Sequence, residues 1–148
     1  MRKELRALRR NIPPEIRHEA AERLLASVSS SHFFKNASSL AFYAPFDGEI
    51  DPMPLLQVSL TLRQACYLPV IAGQSLVFRA WAPSALPNQY GIAEPPPDSP
   101  AISPDQLSVI FVPLVGFDKN CNRLGMGQGF YDRLLAPLMH REQDPCLS

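Results

Sequence analysis

The run from Asn122 to Leu135, NRLGMGQGFYDRLL, sets three glycines at alternate positions and follows them with two aromatics, an acid and a base. Glycines this closely spaced let backbone N–H groups approach an anion, and a helix N-terminus behind them adds unpaired donors and a favourable dipole. Phosphate is the guest that such chemistry suits. Neither of the common phosphate motifs is present: Gly125-x-Gly127-x-Gly129 is one residue short of GxGxxG with no acid about twenty positions on, and there is no Gly-Lys-Ser/Thr. A glycine turn without a ligand is the plainer alternative. Asp132 lies just beyond the loop. Beside a bound phosphate a carboxylate needs an intervening cation, and magnesium, which takes one or two carboxylates plus phosphate oxygens, supplies it. The same acid would also complement the positive end of a helix. Arg123 and Arg133 bracket the loop. Arg123, on the loop side, is the candidate to neutralise a transferring phosphoryl group, whereas Arg133 is equally suited to pairing with Asp132 or facing solvent.

Such a loop needs a strand before it and a helix after it. Val109 to Val115 is strongly apolar and reads as the strand, and a helix is predicted from Phe130 onward. Ligands of open α/β sheets collect at the carboxyl ends of strands, which is where this loop begins. Upstream, residues 2 to 11 are good helix formers. Ile12-Pro13-Pro14-Glu15 interrupts them and restarts a helix in which Ile16, Ala20, Leu24 and Val28 recur, ending in the serines 29 to 31. Leu40 to Ala44 reads as a short buried strand and Pro45-Phe46-Asp47-Gly48 as a turn. Asp51 offers an N-cap with Pro52 just inside, for a helix over Leu55 to Leu62. Strands at Ala65 to Ile71 and Leu76 to Trp81 flank a Gly73-Gln74-Ser75 turn, and residues 82 to 106 are proline-rich and irregular. The alternation predicts an α/β fold with a mostly parallel sheet, in one domain over residues 1–148.

Composition narrows the function. A formal net charge of zero argues against a nucleic-acid binder that relies on a general electrostatic footprint. The first ten residues are an exception: Arg2, Lys3, Arg6, Arg9 and Arg10 face only Glu4. A solvated basic helix and a phosphate-binding edge both account for them. Three widely spaced cysteines with no CxxC support neither a disulfide framework nor a zinc site, and Cys66, in an apolar run, reads as a small core residue. With no secretory h-region and no apolar stretch of membrane-spanning length, the cytoplasm is the expected compartment.

The segment VPLVGFDKNCNRLGMGQGFYDR, Val112 to Arg133, resembles the signature of the 5-formyltetrahydrofolate cyclo-ligase (5,10-methenyltetrahydrofolate synthetase) family. RKELRALRR resembles its basic N-terminal helix, FYAPFDGEIDPMPLL its strand and Gly-Glu segment, CYLPVI its next strand, and YGIAEP its Gly-Ile-x-Glu-Pro turn. The resemblance implies a Rossmann-like three-layer sandwich. It also implies a magnesium-dependent reaction in which ATP and 5-formyltetrahydrofolate, in free or polyglutamylated form, give 5,10-methenyltetrahydrofolate, ADP and phosphate in a cytoplasmic monomer.

Carried over by position, Arg2, Lys3 and Arg6 match the family's N-terminal nucleotide contact, Arg2 standing where many members have Lys. Arg123, Leu124, Gly125, Met126, Gly127, Gln128, Gly129, Phe130 and Tyr131 match the loop around the ATP phosphates, with Arg123 and Tyr131 in the catalytic role. Met126 to Phe130 also border the folate. Glu49 matches the acid that binds the pterin, Ala44 the strand-end residue beside it, and Asp132 a magnesium ligand. Gln128 departs from the Gly or Lys of many members. The chain stops at Ser148, where members usually continue for several dozen residues; the expectation is a sheet lacking its C-terminal strands. That shortness sets a second reading beside the enzyme, a folate- or nucleotide-binding remnant without turnover. A phosphate-binding regulatory module, resting on the basic helix and glycine loop alone, is a third.

Overall fold

The computed structural model describes residues 1–89, 91–125, 127 and 129–139. Helix α1 (Arg2–Arg10) ends on Arg9 and Arg10, cations placed where the helix dipole favours them. Helix α2 (Pro14–Ser29) opens on proline, with Glu15 in its first turn and Leu24, Leu25 and Val28 against the core. A short helix α3 (His32–Lys35), which the serine-rich boundary does not announce, drives Phe34 into the centre at 0% exposure. Strand β1 (Ser39–Ala41) leads through the 45–51 turn to helix α4 (Met53–Thr61), where Asp51 Oδ1 accepts the Met53 N–H at 2.9 Å. The expected cap is therefore made, in front of a proline that needs none. Strands β2 (Ala65–Ala72) and β3 (Ser75–Ala80) form a hairpin around Gly73, whose φ of +63° suits glycine.

The irregular stretch contains the short pair β4 (Leu86–Pro87) and β5 (Ala93–Glu94), then β6 (Ala101–Ile102) and a 3-10 turn over Pro104–Gln106. Strand β7 (Val109–Ile110) precedes the hairpin of β8 (Gly116–Phe117) and β9 (Arg123–Leu124), and helix α5 (Phe130–Met139) follows.

The main sheet has the order β6-β3-β2-β1-β7, with β1 parallel to β2 and to β7, and β3 antiparallel to both its neighbours. Four of the five strands thus point the same way and β3 alone runs against them. The core gathers Phe34, Leu40, Phe42, Leu55, Leu56 and Leu68, and each such side chain contributes about 1.5–3 kcal/mol by leaving water. Cys66 is buried among them, as its apolar surroundings predict. Phe42 stacks on Phe111, ring centres 5.1 Å apart.

Both parallel strands that feed the site are shorter than their apolar runs. After Ala41 one further rung forms, Phe42 N–H to Tyr67 O at 2.9 Å, and after Ile110 one more, Phe111 N–H to Ala41 O at 2.9 Å. Pro45 and Pro113 follow, and neither can donate to a ladder. The β8–β9 hairpin was hidden inside the loop signature. Its turn is built by Asp118, whose carboxylate accepts the N–H groups of Asn120 and Asn122 and the Asn122 amide.

Candidate functional site

Where β1 and β7 give out, the chain leaves a cavity of about 260 Å³. The end of β1 contributes Tyr43 and Ala44, and the following turn contributes Phe46 and Glu49. Pro69, Ile71 and Leu76 of the β2–β3 hairpin give an apolar wall. Arg123, the three glycines, Phe130, Tyr131 and Asp132 close the loop side, with Arg2 reaching in from α1. An apolar interior with a few convergent polar groups is what a ligand site needs.

Arg123 Nη2 donates to Asp132 Oδ1 at 2.8 Å, and its guanidinium lies 5.9 Å from the centre of the Tyr131 ring. The Asp132 side chain is 73% exposed and that of Arg123 22%. The pair therefore has a half-buried cation and a carboxylate open to solvent. Gly127 and Gly129 have φ of +103° and +71°, values that favour glycine, and both line the cavity. Arg2 Nε donates to Gly125 O at 2.8 Å, tying α1 to the loop.

Glu49 Oε2 accepts the Phe46 N–H at 3.0 Å. Burial pushes its pKa up to about 7, against the lowering effect of that bond and of Arg9. Burial also raises the Tyr131 phenol, with the Glu49 and Tyr43 charges acting in the same direction, so Tyr131 stays protonated. Tyr43 is raised by burial and by Glu49 and Asp51, and its hydroxyl donates to Ile50 O at 2.7 Å, bracing the turn that carries Glu49.

Of the residues expected at the site, Arg2, Ala44, Glu49, Arg123, Gly125, Gly127, Gly129, Phe130, Tyr131 and Asp132 line this one cavity. Lys3 is exposed and lies away from it, and Leu124 belongs to the β9 ladder opposite Gly116. Arg6 is turned to Asp47, with Nε 2.8 Å from Oδ2. Met126 and Gln128 lie outside the described residues. Arg133, left open between Asp132 and solvent, donates to Gln74 O at 2.6 Å and packs over Phe130.

Beyond the apolar wall, Phe46 and Pro113, the lining includes Tyr43, Asn88, Ile92 and Glu94, which the sequence did not single out. Glu94 is the most informative. Beyond Tyr67 the register of β2 with β1 ends, and the Ile71 N–H is taken by Glu94 Oε2 at 2.7 Å. The carboxylate takes up a β2 N–H at the cavity wall. The only signal for it was its place in YGIAEP. Among the described residues no group of three or more His, Cys, Asp or Glu could hold a metal alone, so any cation here would need ligand oxygens as well as Asp132.

Known proteins resemble the chain along most of its length. The model of the 5-formyltetrahydrofolate cyclo-ligase family matches residues 1–147. The 5-formyltetrahydrofolate cyclo-ligase of Haemophilus influenzae is 36% identical over 141 residues, covering 91% of this chain and 75% of that protein. That of Escherichia coli K12 is 33% identical over 147 residues, covering 95% and 81%. The NMR structure of Aquifex aeolicus 5,10-methenyltetrahydrofolate synthetase superposes with a TM-score of 0.81 at 33% identity, over 91% of this chain and 70% of that one.

Proposed function

The chain belongs to the 5-formyltetrahydrofolate cyclo-ligase family, and from that premise we propose that it is a ligase that cyclises 5-formyltetrahydrofolate to 5,10-methenyltetrahydrofolate at the expense of ATP. The observation that carries the proposal is the meeting of Glu49 with the Arg123–Asp132 pair and the glycine loop around one cavity. We further take the chain as a single Rossmann-like domain, monomeric and cytoplasmic, accepting polyglutamylated as well as free folate. Among the described residues no helix is long and apolar enough to cross a membrane.

A formamide oxygen is a poor leaving group. In the proposed reaction it takes the γ-phosphoryl of ATP and ADP departs. N10 then attacks the activated carbon and gives up its proton, and phosphate leaves with the formyl oxygen and that proton as the imidazolinium ring closes. This chain's residues mainly position the two reactants and neutralise charge. Glu49 accepts N–H bonds from the aminopyrimidine edge of the pterin, for which a two-oxygen acceptor is well matched. The bare N–H groups around Gly125, Gly127 and Gly129, with the N-terminus of α5 behind them, hold phosphate oxygens. Arg2 adds positive charge at the nucleotide, and Arg123 faces the charge that develops on the transferring group. Tyr131, kept protonated, is positioned to donate to it.

An exposed carboxylate next to a phosphate-binding loop fits magnesium, which completes its shell with phosphate oxygens and water. Bound there, the ion would neutralise phosphate charge and leave Asp132 as its protein ligand. Asp132→Ala should therefore raise the apparent Kd for magnesium–nucleotide by about tenfold while leaving reduced-folate affinity unchanged. Magnesium titration of nucleotide binding measures the first quantity and calorimetry with folate the second; an equal loss of both ligands would show that the two ends of the site are misassigned.

The direct test mixes the protein with 5-formyltetrahydrofolate, ATP and magnesium and follows methenyl-folate absorbance. Product formation is the expected result. Binding of both substrates without product would overturn turnover, and binding of neither would overturn the site.

A further inference from the structure

Helix α1 is fastened to the body by charge. None of its residues is buried, so packing alone does not hold it. Arg6 Nε and Arg9 Nη2 donate to Asp47 Oδ2 at 2.8 and 3.2 Å, and Arg10 Nε donates to Oδ1. Arg9 Nε donates to the Asp47 carbonyl at 2.9 Å and Arg9 Nη1 to Leu114 O at 3.0 Å. The Asp47 side chain is only 7% exposed. One carboxylate is thus enclosed by three guanidinium groups. Asp47 and Gly48 have φ of +55° and +79°, and a Cβ on Gly48 would lie 3.4 Å from Arg9 O, so turn and helix meet backbone to backbone. One residue further on, Glu49 lines the cavity. At the start of the same helix, Arg2 reaches Gly125.

We propose that Asp47 is a positioning residue: through Arg6, Arg9 and Arg10 it locks α1 to the turn bearing Glu49, and so delivers Arg2 to the glycine loop. The inference rests on the functional reading above, in which Arg2 and that loop meet the nucleotide. The Asp47 carboxylate is ion-paired with all three arginines, whereas Glu49 feels the charge of Arg9 alone among them. Without it three cations repel one another on a helix with no fully buried residue. The Arg2 contact with Gly125 O is solvent-exposed and is too weak to hold the helix by itself.

Asp47→Asn tests this cleanly, because asparagine keeps the shape and tolerates the left-handed backbone while losing the charge. Amides of α1 should exchange faster while those of α4 keep their protection. The Kd for a non-hydrolysable ATP analogue with magnesium should rise about fivefold. Combined with Arg2→Ala, the two effects should not multiply, because the asparagine variant has already withdrawn Arg2. That non-additivity is what a merely structural role would not produce. Unchanged affinity with fast α1 exchange, or full multiplication of the two effects, overturns the inference. If Asp47→Asn does not fold, Arg10→Ala removes the most exposed partner and should move both readouts the same way by about twofold; no movement overturns the inference. A wild-type protein that does not bind the analogue overturns the functional reading itself, and with it the role of Arg2.

Discussion

Arg123→Ala is expected to lower kcat by about 10²–10³-fold and to leave the Kd for reduced folate unchanged. The size follows from where the guanidinium sits. It is largely buried at the cavity wall, beside the loop proposed to hold phosphate oxygens, and it is already oriented by Asp132 and the Tyr131 ring. A donor held in place before reaction costs no reorganisation when charge moves onto the transferring oxygens, so its removal falls on the chemical step. Loss of stability is the competing explanation, and it is the smaller effect. The Arg123–Asp132 pair has one partner largely in solvent, and such pairs contribute about 0–1 kcal/mol. Arg123→Lys keeps the charge but not the planar fork, and should restore only part of the rate. Steady-state kinetics with ATP varied, beside a thermal melt of each variant, separate the two explanations. A kcat that stays at the wild-type level, or one that falls only as Tm falls, would remove Arg123 from the chemistry.

Glu49→Gln is expected to weaken reduced-folate binding by about 10- to 100-fold, the loss for hydrogen bonds made to a charged rather than a neutral acceptor, and to leave magnesium–nucleotide affinity in place. The ionised carboxylate is the better acceptor for two N–H donors, and burial raises the pKa of Glu49 to about 7. In the wild-type protein folate affinity should therefore improve as pH rises from about 6 to about 8, because ionisation increases through a pKa near 7. The glutamine variant should show no such rise.

Stability moves the other way. A carboxyl whose folded pKa exceeds its ordinary 4.5 favours the native state fully below that value, and loses this contribution as pH climbs toward about 7. Glu49→Gln should thus not destabilise the protein at pH 8. A variant that binds folate normally, or a wild-type affinity flat across this range, would place the pterin elsewhere.

Much of the site was legible because its signals are local. Glycines at 125, 127 and 129 announce a backbone that must turn inward, and two of them have the positive φ that only glycine adopts cheaply. Asp51 before Pro52 announces a cap, and its carboxylate makes one. The irregular 82–106 stretch was legible only as irregular. Its function in the wall depends on Glu94 meeting Ile71, a contact that no spacing encodes. Helix α3 was missed for a related reason: four residues carry too little periodicity to register, and Phe34 declares its importance only once β1, α4 and β2 surround it. The β7 run was read too long because apolar character persists past the last ladder rung, and proline rather than polarity ends the pairing.

The sequence by itself determined the family and the scaffold: a glycine loop suited to phosphate, an acid and an arginine beside it, an α/β fold to hold them, and a family resemblance along the chain. These follow from dihedral freedom, hydrophobic period and residue type, all of which act within a few positions. Only the tertiary structure decided how the five basic residues of the first helix divide their work, Arg2 to the loop, Arg6, Arg9 and Arg10 to Asp47, and Lys3 to solvent. It also decided that Glu49 lies where burial opposes its charge. Side-chain direction and desolvation are set by what packs against a residue from more than a hundred positions away, as Gly125 does against Arg2, and no local pattern carries that information.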